Sequence, residues 1–164
     1  MNKKAQIVKF VIADLLSAAL AWSLFFFLRK NGELQSVSET IQSVISDRKF
    51  YTGIIFIPVF WLLLYTISGS YHNIYRKARM RELGQTLLIS LIGVTVIFFA
   101  LILDDVIKTY TDYYHLFINL FLLHFFITVT IRLILTSRNL LKLRNHVIGF
   151  NTIIVGSNGN AISI

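Results

Sequence analysis

The 164-residue sequence contains no cysteine, a single proline and only 8 acidic residues. The absence of cysteine excludes a disulfide scaffold, a zinc site with thiolate ligands and a cysteine nucleophile. One proline and 8 glycines exclude a collagen-like, linker-like or disordered chain. Charged residues make up 15% of the chain and hydrophobic residues 55%, against about 25% and about 45–50% in soluble domains. This balance is typical of a membrane protein.

Four apolar stretches are each long enough to cross a bilayer, whose hydrocarbon core of about 30 Å requires about 20 helical residues. The second and third stretches are apolar on every side, which excludes a large soluble helical core. The first is too long for a signal peptide, and two basic residues follow it where a cleavage site would be expected. We therefore predict an all-α membrane protein with a four-helix transmembrane bundle. The predicted helices cover residues 10–28, 51–70, 83–103 and 114–135.

Basic residues are distributed unevenly between the two sides of this predicted bundle. The N-terminus, the loop after the second segment and the region after the fourth segment are all strongly basic, whereas the other two loops are near-neutral or acidic. The positive-inside rule then places both termini in the cytoplasm. The net charge of +8 is explained by this topology and by attraction to anionic lipid. The sequence contains no soluble basic domain, so a nucleic-acid partner is not predicted.

The two longest loops carry different patterns. Residues 33–49 are predicted to form an amphipathic helix that either lies along the outer membrane interface or packs as a cap on the bundle, and packing is the favoured interpretation. Its apolar residues are Leu34, Val37, Ile41, Val44 and Ile45. The loop after the second segment is aromatic and basic, and it either contacts lipid headgroups or simply enforces topology. The basic residues in question are Arg76, Lys77, Arg79 and Arg81.

Polar residues inside membrane helices are costly and are candidates for function. We expect Asp14 to face Lys9, an arginine of a neighbouring helix, or water. Arg132 lies near the inner end of the fourth segment, from which its side chain can snorkel to the interface. His124 lies close to the middle of the membrane, and an interhelical hydrogen bond is the favoured interpretation over proton relay. Pro58 is expected to kink the second helix.

The last residues differ in character from the bundle. Residues 152–155 resemble a short buried strand, 156–159 a turn and 160 onwards the start of a helix, as at the beginning of a Rossmann-like α/β domain. A lone strand has no partners, so we expect the chain to be cut off inside this second domain. The predicted domains are residues 1–147, the transmembrane domain, and 148–164, the truncated start of the Rossmann-like domain.

Several motifs in fixed order carry a family resemblance. After a first helix with an internal Asp comes Y-x-x-x-Y-R-[KR]-x-R-x-x-E-L-x-Q-T, then S-L-I-G-V, F-F-A-L-I-L-D-D, R-L-I-L-T-S and G-F-N-T-I-I-V-G-S-N. This order resembles the N-terminal membrane region of large bacterial polyprenyl-phosphate hexose-1-phosphate transferases, which initiate exopolysaccharide or O-antigen synthesis, in particular the Bacteroidetes type. The residues that carry it are Tyr71, Tyr75, Arg76, Arg79, Arg81, Glu82, Asp104, Asp105 and the stretch 149–158.

The resemblance implies a multi-pass protein of the bacterial cytoplasmic membrane that moves a sugar 1-phosphate from a UDP-sugar to undecaprenyl phosphate and releases UMP. The reaction would occur in a C-terminal domain with an Asp-Glu pair and Mg²⁺. Nothing in this chain matches that pair, and topology places Asp104 and Asp105 outside, at the end of the third predicted helix. We therefore expect no catalytic, cofactor or metal residue in these 164 residues, which would be inactive alone. The implied partners are the bilayer, polyprenyl phosphate and a second copy of the chain.

Two alternatives from other classes stay open. A small transporter would be built around Asp14, His124 and Arg132, although the four segments show no internal repeat and no pair of broken helices. A purely structural oligomerisation module is the other alternative, and it overlaps with a membrane anchor that holds an enzyme as a dimer.

Overall fold

The computed structural model describes residues 3–32, 36–72, 79–104 and 110–144, and their regular secondary structure is entirely helical. Helices α1, α3, α4 and α5 are long and apolar enough to cross a membrane, which confirms the predicted set of four spans and makes the chain a multi-pass membrane protein. The predicted Rossmann-like start lies outside the described residues. The helices are α1 (Lys3–Asn31), α2 (Val37–Ser46), α3 (Arg48–Ile67), α4 (Arg79–Asp104) and α5 (Tyr110–Arg144).

Helix α3 ends three residues earlier than the apolar pattern predicts. The chain turns at Gly69, whose φ of 67° is a conformation that favours glycine. The N–H of Ser70 donates to the carbonyl of Tyr65 at 3.0 Å, and the N–H of Gly69 donates to Thr66 at 3.1 Å. This pair of bonds is a Schellman cap, which satisfies the last carbonyls of the helix. Upstream, α3 remains one helix through the buried Pro58.

Helix α5 is 35 residues long and exceeds its predicted span at both ends. Hydropathy shows where the side chains of a helix stop being apolar. The helix itself continues as long as its backbone N–H and C=O groups form helical hydrogen bonds. At the end of the bundle where α5 ends, α1 begins at Lys3, before its apolar stretch. The α1–α5 contact is among the most extensive in the protein, and buried polar residues such as Gln6 and Asn139 lie in these extensions.

The helices pack with α1 and α5 at the centre of the arrangement. Helix α1 contacts α3 and α5, α5 contacts α4, and α2 packs on α1, whereas α3 and α4 touch over a much smaller area. The interior contains both tryptophans, Trp22 and Trp61, together with aromatic and small side chains. Most of the large outward-facing side chains are aliphatic, with phenylalanines such as Phe56 and Phe99 among them, as is expected of a surface that faces lipid. On α1 they recur at every fourth position: Val8, Ile12, Leu16, Leu20, Leu24 and Leu28.

The amphipathic helix α2 only partly follows the favoured expectation that it packs as a cap. Of its apolar residues, Val44 is buried against the bundle, and it is joined there by the polar residue Thr40. Val37, Ile41 and Ile45 are exposed, and Leu34 lies outside the described residues. Most of the apolar stripe therefore faces away from the bundle.

Candidate functional site

A buried arginine joins three membrane helices near one end of the bundle. On α5, the Arg132 guanidinium donates from Nε to Asp14 Oδ1 at 2.8 Å and from Nη2 to Asp14 Oδ2 at 2.6 Å. Its Nη1 donates to Glu82 Oε1, on α4, at 3.0 Å. The side chains of all three residues are about 1% exposed. This two-bond fork between a guanidinium and a carboxylate is the strong form of an ion pair.

Two tyrosines from the end of α3 complete this arrangement, and we call Asp14, Tyr65, Tyr71, Glu82 and Arg132 together the Arg132 cluster. The Tyr71 hydroxyl donates to Asp14 Oδ2 at 2.7 Å. The Arg132 guanidinium carbon lies 3.9 Å from the centroid of the Tyr65 ring, within cation–π range. Burial and then the negative charge of Asp14 raise the pKa of Tyr71, so its hydroxyl stays protonated and keeps donating. The cluster thus holds residues from all four spans or their ends.

His124 continues the polar contacts deeper into the bundle, eight residues or about 12 Å along α5 from Arg132. Its Nε2 lies 3.1 Å from the Tyr65 hydroxyl, which confirms the predicted interhelical hydrogen bond. The imidazole stacks on Trp61, with ring centroids 3.5 Å apart and planes at 10°. Thr128 bridges towards α1, since its hydroxyl donates to Ser17 Oγ at 3.4 Å. Among the described residues, Nδ1 of His124 has no hydrogen-bond partner.

The Arg132 cluster lies at one boundary of the apolar zone. Glu82 is in the first turn of α4, Tyr65 is in the last turn of α3, and Tyr71 is in the turn that follows α3. Beyond Val94 and Leu120, the buried residues towards the other end of the bundle are uncharged, and among the described ones Thr40 is the polar exception to an apolar core. The charged groups therefore do not form a path across the membrane within the part of the chain that the structure describes.

The geometry of the cluster tests the predictions made for Asp14 and Arg132. Asp14 faces an arginine of a neighbouring helix, one of its three predicted partners. The expectation that Arg132 snorkels is wrong, because Arg132 forms ion pairs with two carboxylates inside the bundle and is 1% exposed. Glu82, which lies one residue before the third predicted span, is buried within the cluster.

One sequence pattern could have identified this polar interior. On α5, polar residues recur at every fourth position, which places them on one face of the helix. Helix α4 repeats the pattern. Every one of these side chains is buried in the structure, so the stripes mark the faces that meet: His124, Thr128, Arg132 and Thr136 on α5, and Glu82, Thr86 and Ser90 on α4.

The other predicted residues lie apart from the cluster. Arg79 and Arg81 are exposed at the start of α4, whereas Tyr75, Arg76 and Lys77 lie outside the described residues, so headgroup contact stays a prediction. Helix α4 ends at Asp104, as expected for the end of the third span. Within the described ranges, no group of three or more His, Asp or Glu side chains is placed to hold a metal ion.

Replacing Tyr71 by Phe tests the contribution of its hydroxyl. The variant removes a hydrogen bond to a charged carboxylate, and such bonds contribute about 1.5–3 kcal/mol. We expect a loss of that size in the free energy of unfolding, measured by SDS titration in mixed micelles. Tyr114→Phe is the matched control, because Tyr114 is exposed on α5. Equal stability of the two variants would contradict a structural role for the Tyr71 hydroxyl.

Fold and cluster together define a multi-pass helical membrane protein whose spans are joined by a buried ion-pair cluster at one membrane boundary. Comparison with protein-family models, with curated proteins and with solved structures found no match.

Proposed function

We propose that this chain is the membrane module of a polyprenyl-phosphate hexose-1-phosphate transferase, which anchors and assembles the enzyme that transfers a sugar 1-phosphate from a UDP-sugar to undecaprenyl phosphate. In this proposal the module lies in the bacterial cytoplasmic membrane with both termini in the cytoplasm. The chemistry, with its Mg²⁺, belongs to a catalytic domain outside these 164 residues, and the module also supports a homo-oligomer.

The observation that carries the proposal is the convergence of the motif residues. The resemblance rests on separate parts of the sequence: a first helix with an internal Asp, the Tyr-Arg-Glu motif and R-L-I-L-T-S. In the structure Asp14, Tyr71, Glu82 and Arg132 come from these separate parts and form one chain of hydrogen bonds, although they lie up to 118 positions apart in the sequence. These motifs do not resemble one another in sequence. A single structural role, the joining of four spans, therefore accounts for all of them.

The position of the cluster suits an anchor. It lies at the end of the bundle where α5 leaves the apolar zone and continues as helix to Arg144. A domain that follows α5 in the chain would be attached to the end of the bundle that these ion pairs join. Both oxygens of Asp14 accept hydrogen bonds from Arg132, and Oδ2 also accepts one from Tyr71, which supports a structural role better than a transport site.

UMP release tests where the chemistry resides. The protein translated from the full reading frame is compared with the 164-residue chain, each in vesicles with UDP-sugars, undecaprenyl phosphate and Mg²⁺. We expect UMP release from the full protein only. A reading frame that stops after Ile164, or activity of the 164 residues alone, would contradict the proposal. Proton-dependent flux abolished by His124→Ala would support the transporter alternative instead.

A further inference from the structure

Helix α2 carries an apolar stripe that the bundle does not cover. Val37, Ile41 and Ile45 are 61%, 47% and 57% exposed, whereas Thr40 and Val44 are buried against the bundle. With about 100° between successive residues, the centre of the exposed stripe lies about 80° around the helix from the buried face. Helix α2 therefore contacts the bundle through one side, and its apolar stripe faces away from the bundle at roughly a right angle to that side.

The position of α2 along the membrane normal is fixed by the spans on either side. A single residue, Asp47, separates it from α3: its N–H donates to Val44 of α2 at 3.2 Å, and its carboxylate accepts from the N–H of Lys49 at 2.9 Å. Lys30 of α1 pairs with the same carboxylate at 3.0 Å. Burial alone would raise the pKa of Asp47, but the hydrogen bonds from Lys30 and Lys49 outweigh it and hold that pKa below its usual value.

These contacts hold α2 at the level where α1 ends and α3 begins, which is one surface of the bilayer. The residues around it are those of an interface: basic side chains at the ends of both spans and the exposed Tyr51 in the first turns of α3. Helix α2 packs on α1, whose lipid-facing stripe reaches Leu28, three residues before α1 ends.

We propose that α2 is an interfacial helix whose stripe of Val37, Ile41 and Ile45 inserts into the lipid leaflet at this surface. Its opposite side is polar and faces water, with Glu39, Gln42 and Ser46 exposed there. Since Glu39 is the only charged residue of α2, insertion depends on apolar area and not on charge. The inserted helix therefore binds zwitterionic and anionic lipid alike.

Single cysteine variants test this insertion, because the natural chain has no cysteine and each variant then carries one thiol. Ile41→Cys and Ile45→Cys probe the stripe, and Glu39→Cys on the opposite side is the matched control. Each full chain is labelled with a nitroxide and reconstituted in vesicles of phosphatidylcholine, with or without phosphatidylglycerol. Collision of the label with oxygen, which concentrates in lipid, is compared with collision with a water-soluble nickel chelate.

We expect the oxygen-to-nickel ratio to be several-fold higher at positions 41 and 45 than at 39, in both lipid mixtures. Equal, water-like ratios at all three positions would overturn the proposal, and so would insertion that requires phosphatidylglycerol. Spin–spin broadening at 41, with low collision rates for both reagents, would indicate a second copy on the stripe and would also overturn it. None of these outcomes depends on the enzymatic role proposed above.

Discussion

Replacing Arg132 by Met is expected to cost about 3–5 kcal/mol of folding free energy, more than the loss of the Tyr71 hydroxyl from the same cluster. The variant keeps a long side chain but leaves the Asp14 carboxylate, about 1% exposed, without the guanidinium that donates to both of its oxygens. Glu82 loses its bond from Nη1 at the same time. The intact buried ion pair contributes little net stability, because its Coulomb attraction is offset by the cost of removing both charges from water. When the arginine is lost, the desolvation cost of the carboxylate remains without that attraction, so the loss of stability is large.

Equilibrium unfolding by SDS in mixed micelles measures this cost, with the fluorescence of the buried Trp22 and Trp61 as the signal. Arg138→Met is the matched control, because Arg138 is an exposed arginine of the same helix and its loss should change stability by less than about 0.5 kcal/mol. Arg132→Lys should fall between the two, since an ammonium keeps the charge but cannot form the fork. A loss below about 1 kcal/mol for Arg132→Met would contradict the role given to the cluster.

Gly93→Ala is expected to destabilise the protein by about 1–3 kcal/mol, as typical of an overpacked core. A Cβ on Gly93 would overlap the ring of Trp61, where α4 approaches α3. The indole cannot retreat freely, because it is about 1% exposed and the His124 imidazole stacks on it. Since α3 and α4 touch over a small area, this glycine governs much of their contact.

Gly84→Ala on the same helix is the control for this substitution. A Cβ there would meet no atom within 4 Å, and alanine is favoured over glycine in a helix by up to about 1 kcal/mol. We therefore expect opposite signs for the two alanines in the same unfolding titration. Equal effects would mean that helix propensity, and not the space beside Trp61, decides the outcome at Gly93.

Apolar run length predicts the four spans correctly because a bilayer imposes its thickness on every helix that crosses it. The same measure places helix ends poorly. It carries α3 past the Schellman cap at Gly69, and it ends α5 at 135 although helical pairing continues to Arg144. Hydropathy measures the free energy of transferring side chains from water to lipid. A backbone turn, or a polar extension of a helix, changes that free energy little, so hydropathy does not locate the helix end.

The cluster could be predicted only in part, for a different physical reason. Sequence gives the depth of Asp14 and Arg132 along their helices and the cost of their burial, and this indicates that each needs a partner. Which partner it finds depends on the rotation and register of neighbouring helices, which a single sequence does not specify. Glu82 lies in the first turn of α4. An acid is common at this position of a helix whether its side chain is exposed or buried, so the neighbouring residues do not show which applies. Only its spacing from Thr86 and Ser90 indicates the inward face.

The separation of Asp14 and Arg132 along the chain has a consequence for biosynthesis. Arg132 follows Asp14 by 118 positions, so at a translation rate of about 5–20 residues per second it is synthesised roughly 6–24 s later. For most of that interval the first helix is complete while the arginine that pairs with its acid has not yet been synthesised. The ion pair can form only after the last helix is inserted, so a nascent chain that stalls before α5 or loses it leaves Asp14 without its guanidinium partner.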